Sequence, residues 1–328
     1  MTQGNSTKAI IAAFLANLGI AVLKFIGFLI TGAASMLAES IHSVADTGNQ
    51  GLLILGGRRG RQGPDEQHPF GHGRERYFWA FLVAVVLFTV GSLYALYEGV
   101  EKLRHPHELT SPPVAIAILL GAVVLESWSL RTAVREATPL RGDRSWWSFI
   151  RHTKNPELPV VLLEDVGALT GLVFALVGIG LAVLTNNARF DALGSVAIGL
   201  LLGVIAVVVG TEMRSLLIGE AATAPDVAAI REALEGTDGV RRLIHLRTMH
   251  LGPDELLVVG KLELDPSFTF EQVTETVNQA EARIRAAVEP AGLIYLEPDI
   301  YRESADRKAS GGEPVERTAP GTAGTPPP

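Results

Sequence analysis

The chain has 328 residues, of which 48% are hydrophobic and only 19% charged, with no cysteine and a formal net charge of −7. Soluble domains carry about 25% charged residues, so this composition, with its mean hydropathy of +0.28, has the balance of a membrane protein rather than of a soluble domain. The absence of thiols excludes disulfides and thiolate metal sites. An acidic chain with no basic, aromatic-interleaved stretch gives no basis for a nucleic-acid partner.

Six apolar runs, at approximately 8–31, 35–56, 78–100, 113–133, 158–184 and 191–216, are long enough to cross a lipid membrane, which takes about 20 residues as a helix. The first is too long for the core of a signal peptide and lacks a small-residue cleavage site, so no signal peptide is expected. The links alternate in character. That at 57–77 carries Arg58, Arg59, Arg61, Arg74 and Arg76, and that at 134–157 carries Arg135, Arg141, Arg144, Arg151 and Lys154, whereas the 32–34 turn is uncharged and 185–190 has only Arg189. The positive-inside rule places both basic links and both termini in the cytoplasm. Trp146 and Trp147 in "RSWWSFI" read as an interfacial anchor in the second basic link.

After Arg214 the charge density becomes ordinary. "TAPDVAAIREALEG" predicts a helix with Thr223 as N-cap and Gly236 at its end. "VRRLIHLRTMHL" and "ELLVVGKLELD" predict two strands joined by a Gly-Pro-Asp turn. A second helix opens with Thr269 and Gln272 at capping-box spacing, and "LIYLEPDIY" predicts a last strand. The expected fold is an α-helical membrane protein with six transmembrane helices and a small cytoplasmic α+β (αββαβ) C-terminal domain. The expected divisions are 1–217 for the membrane domain, 218–303 for the cytoplasmic domain, and 304–328 for a disordered Gly/Pro/Thr/Ala-rich tail.

Charged groups inside a membrane mark function, because each costs several kcal/mol there. Glu39, His42, Asp46 and Asn49 follow an i, i+3, i+7, i+10 stripe in the second run, one helix face turned toward the bundle interior. His42 and Asp46, one turn apart, can present a nitrogen and an oxygen to one first-row divalent cation; the bland alternative is a helix–helix hydrogen-bond network. In the fifth run "VVLLEDVGALTG" supplies Glu164 and Asp165. These stand about 100° apart on a helix, so one of them is expected to join His42 and Asp46. Lys24, Glu98, Glu126 and Asp191 are isolated charges: Lys24 is placed to neutralise a carboxylate, and Asp191 to sit at a helix N-terminus. In the first basic link Asp65, His68 and His72 are spaced as a three-ligand metal set, with a solvated loop as the alternative.

With these stretches in view, "AESIHSVADTGNQGLLILG", "HPFGHGRERY" and "LLEDVGALTG", the chain resembles the cation diffusion facilitators over about residues 8–303, and within them a subgroup around zinc transporter 9. The resemblance implies a homodimer that exports a divalent cation in exchange for protons by alternating access. It places His42, Asp46 and Asp165 in the transport site and Asp65, His68 and His72 in an interfacial loop site. Four positions before Asp165, where a histidine is common in zinc exporters, this chain has Val161, and Glu164 is the residue at hand to supply the missing ligand; Glu39 and Asn49 take supporting roles. In the cytoplasmic domain Ile244, Lys261 and Leu296 stand at three ligand positions, with His245 and His250 nearby, so dimerisation is expected there rather than metal sensing. The transported ion is expected to be Zn²⁺, with Mn²⁺, Fe²⁺, Co²⁺ and Cd²⁺ also fitting a nitrogen-and-oxygen site. No other cofactor and no enzymatic activity are expected, and the plasma (inner) membrane is the expected location. The competing readings are a membrane-embedded metalloenzyme using the same side chains with a bound water, and a non-transporting scaffold or coregulator.

Overall fold

The computed structural model describes residues 18–106 and 111–302. The start of the first apolar run and the 304–328 tail lie outside the described residues. The chain divides into two compact units: residues up to Glu220 together with His250–Glu255, and Ala221–Met249 with the residues from Leu256 onward.

In the first unit every apolar run corresponds to a helix. Helix α1 (Leu18–Thr31) and helix α2 (Ala34–Arg59) are joined by a tight turn in which Gly32 takes φ 64°, a conformation that glycine adopts without a side-chain clash. Helix α3 runs Glu75–Arg104 and is wound as a π-helix over Leu87–Ser92. Helix α4 (Pro112–Arg141) starts on a proline, which costs nothing where no intrahelical donor is needed. The short helix α5 (Trp146–His152) is capped by the Ser145 hydroxyl, which accepts from the Ser148 backbone N–H. Helix α6 is Glu157–Thr185 and helix α7 Arg189–Ile218.

Helices α3, α4, α6 and α7, at 29 or 30 residues, are long and apolar enough to cross a membrane; at 1.5 Å per residue they reach roughly 45 Å against a hydrocarbon layer of about 30 Å. Helix α2 has 26 residues and is less apolar because it carries the polar stripe. The shared core includes Met36, Tyr77, Val83, Leu119, Leu172, Ile179, Ile198 and Leu202, while Val124, Trp128, Leu184 and Val204 point outward, as an apolar solvent requires. Arg141 stacks 4.8 Å over Trp146 and Arg151 5.8 Å over Trp147 at α5.

Glycines set the closest helix approaches. A Cβ at Gly178 of α6 would sit 2.9 Å from the Phe190 carbonyl oxygen and 3.3 Å from Gly194 Cα of α7, and one at Gly194 would sit 3.0 Å from the Phe174 carbonyl oxygen. Small residues of this kind are how membrane helices gain packing where lipid is as apolar as the side chains.

The second unit holds helix α8 (Ala224–Glu235), strand β1 (Val240–Gly252) up to Met249, strand β2 (Glu255–Leu264) from Leu256, helix α9 (Phe270–Ala287) and strand β3 (Leu293–Pro298). The sheet order is β1-β2-β3, with β2 and β3 parallel and Leu257 opposite Leu293; α9 supplies the crossover that a parallel pair needs. Strand β2 alternates strictly, burying Leu256, Val258, Leu262 and Leu264 against Ile230, Leu234, Ala280 and Ile284 of the two helices. Thr223 caps α8, and the Thr269–Gln272 capping box closes the start of α9.

Replacing Gly178 with leucine should force α6 and α7 apart and destabilise the membrane unit by about 2 kcal/mol, read as a lowered melting temperature in detergent. An unchanged melting temperature would show that the close approach is not needed.

Candidate functional site

Helix α2 carries the stripe that the sequence singles out. Glu39, His42, Asp46 and Asn49 fall within an arc of roughly 80° at 100° per residue, and all four are buried. Nδ1 of His42 lies 3.4 Å from Oδ1 of Asp46. The contact satisfies neither group: both nitrogens of His42 and Oδ1 of Asp46 lack a hydrogen-bond partner. Burying such atoms without a partner costs about 1–3 kcal/mol each, and imidazole nitrogen and carboxylate oxygen are both metal-ligand atom types.

Helix α6 brings Glu164 and Asp165, both buried, but turns them to different neighbours. Glu164 Oε1 accepts a 2.6 Å hydrogen bond from Asn49 Nδ2 of α2. Asp165 Oδ2 accepts from Ser129 Oγ of α4 at 3.2 Å. Asp46 lies within electrostatic reach of Glu164, Glu126, Lys24 and Asp165. The neighbourhood is therefore rich in carboxyl groups, and α2, α4 and α6 each contribute to it. Val161 packs against the apolar core and offers no ligand.

His42, Asp46, Glu164 and Asp165 are gathered in one region without closing on one point. Among the described residues, the one set of three His, Asp or Glu side chains whose ligand atoms lie within 4.8 Å of one another is Asp65, His68 and His72. Direct coordination of Zn²⁺ needs contacts of about 2.0–2.2 Å. A closed site at His42 and Asp46 would need a carboxylate of α6 to turn toward them, Glu164 from beside Asn49 or Asp165 from beside Ser129.

Asp65, His68 and His72 sit in the loop between α2 and α3. His68 Nδ1 is 3.3 Å and His72 Nε2 3.4 Å from the Asp65 carboxylate, and the two imidazole rings lie 4.3 Å apart. Backbone N–H groups of His68 and Gln67 donate to Asp65 Oδ1 at 2.6 and 2.9 Å. These hydrogen bonds, that from His68 foremost, hold the Asp65 carboxyl below its ordinary pKa, so it stays ionised and available to a cation. In the second unit Lys261 Nζ is 2.6 Å from Asp299 and 3.3 Å from Glu297, so the carboxylates beside that position already hold a cation.

Four residues of the region were not assigned to it by sequence: Lys24, Ser43, Glu126 and Ser129. Lys24 Nζ reaches Glu39, Ser43 and Glu126. For Lys24 and Glu126 the available signal was a charge inside an apolar run; a serine one helical turn from a charged position gives no comparable signal. Asp191, expected at a helix N-terminus, lies in the first turn of α7 and accepts from the backbone N–H and hydroxyl of Ser35.

Residues 10–218 match the family described as the cation efflux transmembrane domain, and residues 222–299 match the cytoplasmic domain of cation efflux proteins. The chain therefore belongs to the cation efflux family, with that family's helical membrane domain and small α+β domain, and is a multi-pass membrane protein. It is similar to the proton-coupled zinc antiporter SLC30A9, mitochondrial, of Homo sapiens, at 33% identity over 79% of this chain and 46% of the relative. It is also similar to metal tolerance protein C4 of Arabidopsis thaliana, at 26% identity over 84% of the chain and 61% of the relative. The cation-efflux pump FieF of Pectobacterium atrosepticum is 25% identical over 90% of the chain and 93% of the relative. The chain spans about half the length of the SLC30A9 relatives it matches.

Replacing Asn49 with alanine should strip the buried Glu164 carboxylate of its donor and destabilise the bundle by about 2 kcal/mol. Thermal unfolding in detergent measures this, and a variant as stable as the parent would show that the Asn49–Glu164 bond does not hold α2 to α6.

Proposed function

We propose that the chain is a divalent-cation efflux transporter that exchanges a first-row cation for protons. The observation that carries the reading is the buried His42–Asp46 pair, in which both His42 nitrogens and Asp46 Oδ1 have no hydrogen-bond partner and Asp46 lies within electrostatic reach of the carboxylates of α6. Family membership and the transport functions named for its relatives support it. His42 and Asp46 are the fixed ligands, and Asp165 or Glu164 completes the set after breaking its resting hydrogen bond. Glu39 and Asn49 support them.

Imidazole and carboxylate lone pairs accept either a proton or a metal ion, so loading the metal releases protons and protonation expels the metal. Exposing the pair alternately to the two faces of the membrane couples inward proton flow to outward metal movement. Gly178 and Gly194 give α6 and α7 a smooth contact along which such a movement can slide.

Zn²⁺ is the favoured cargo, since nitrogen with oxygen ligands suits it and an antiporter of zinc is among the relatives; Mn²⁺, Fe²⁺, Co²⁺ and Cd²⁺ fit the same ligand types. The match to a family named for dimers supports a homodimer built through the second unit. The membrane domain is assigned to 1–217 and the cytoplasmic domain to 218–303. Both termini lie in the cytoplasm and no catalysis is assigned, on the basic-link pattern and the family. A plasma (inner) membrane suits the resemblance to the bacterial pump, and a mitochondrial membrane the resemblance to SLC30A9. Asp65, His68 and His72 form a second, loop metal site with a structural role.

In proteoliposomes carrying an inward proton gradient, His42→Ala and Asp46→Ala should each reduce Zn²⁺ flux by roughly a hundredfold or more, as expected when a principal ligand is lost. Flux at the parental rate in either variant would remove the pair from the transport path. Asp65→Ala should retain most of the flux while losing metal binding at the loop, where Asp65 stands 3.3–3.4 Å from both imidazoles. A transport-dead Asp65→Ala protein that remains folded would contradict the structural role of the loop.

A further inference from the structure

Lys24 of α1 plays no part in the exchange described above. Among the described residues no other lysine is fully buried. Its Nζ lies 2.8 Å from Ser43 Oγ and 3.2 Å from Glu39 Oε2, both on α2, and 3.8 Å from Glu126 Oε1 on α4. A lone ammonium in hydrocarbon would be strongly disfavoured; here two carboxylates and a hydroxyl surround one point. The lysine does not exhaust them, because the second oxygen of Glu39, Oε1, is buried with no hydrogen-bond partner. It lies against Gly171 of α6, where a Cβ would overlap it.

The donors around Nζ are all oxygen, the ligand type of hard cations such as Ca²⁺, Mg²⁺ and Mn²⁺. The neighbouring His42 adds nitrogen and suits borderline ions such as Zn²⁺. The two positions therefore differ in ligand chemistry as well as in place.

We propose that the Lys24 ammonium is a tethered cation filling a second cation position, formed by Glu39, Ser43 and Glu126, and that it keeps hard divalent ions out of the bundle. Lys24 is then a specificity-determining residue: with its charge fixed in place, the exchangeable ion is confined to the His42–Asp46 position. This last step rests on the transport reading given above; the existence of the oxygen-lined position does not.

The test counts Mn²⁺ bound to the purified full chain in detergent by electron paramagnetic resonance, with Zn²⁺ binding followed in parallel. Lys24→Ala should bind about one more Mn²⁺ per chain than the parent, since the vacated position keeps its oxygen ligands. Lys24→Arg should bind the parental number, and adding Glu39→Gln to Lys24→Ala should abolish the extra ion. A folded Lys24→Ala protein with the parental Mn²⁺ count overturns the proposal, as does an extra ion that survives Glu39→Gln. A lysine that merely ties helices together would lower the melting temperature and leave the count unchanged. If Lys24→Ala does not survive extraction, Lys24→Gln, which keeps a donor to Ser43, is scored by the same count. Failure of the transport reading shows separately: in an Asp65→Ala background, His42→Ala would leave Zn²⁺ binding intact while the Mn²⁺ count still decides the role of Lys24.

Discussion

A charge inside a hydrocarbon layer must have a partner within a few ångströms, and this constraint organises the membrane unit. Among the described residues six carboxylates are buried in the bundle, those of Glu39, Asp46, Glu126, Glu164, Asp165 and Asp191, together with the ammonium of Lys24 and the imidazole of His42. Each charge is aimed at another helix: Lys24 ties α1 to α2 and α4, Asn49 ties α2 to Glu164 of α6, and Ser129 ties α4 to Asp165 of α6. The residual deficit falls on His42 and Asp46, whose contact leaves lone pairs unmatched. Carboxyl and imidazole groups gathered away from water can bind either protons or a cation, and the exchange proposed above is a competition between the two.

The arrangement also explains why the proposed ligands do not close on one point. Glu164 and Asp165 are adjacent on α6 and so point in directions about 100° apart; each finds a neutral donor where it stands. Those hydrogen bonds are weak beside a metal–carboxylate contact, so a divalent ion can draw either side chain away from its donor. The glycines at 171, 178 and 194 let neighbouring side chains and backbone approach closer than any side chain would allow. The π-wound stretch Leu87–Ser92 of α3, where the Ser92 hydroxyl donates 2.8 Å to the Gly199 carbonyl oxygen of α7, is a further irregularity among the spanning helices.

Much of this was legible in the sequence because it depends on periodicity and local chemistry. The stripe at 39, 42, 46 and 49 follows from helical spacing alone, and all four residues are indeed buried. Thr223 and the Thr269–Gln272 box are short-range signals, and they cap α8 and α9 as their spacing requires. The partners of each charge were not legible, since sequence gives the face of a helix but not the rotamer or the helix it meets. Thus Glu126, read as isolated, lies beside Lys24, and neither carboxylate of α6 rests on His42. Helix α5 was read only as a tryptophan anchor because seven residues are too few for periodicity to register. The clustering of Asp65, His68 and His72 was legible from spacing, and the backbone donors that fix Asp65 were not.

The central claim is that metal and protons compete for the lone pairs of His42 and Asp46. It is tested most directly by adding Zn²⁺ to the purified chain in weakly buffered detergent solution and recording proton release, with Asp65→Ala as background to silence the loop. Zn²⁺ should release protons from this protein, and adding His42→Ala and Asp46→Ala should abolish the release. Proton release that is undiminished in the variant lacking both side chains would contradict it.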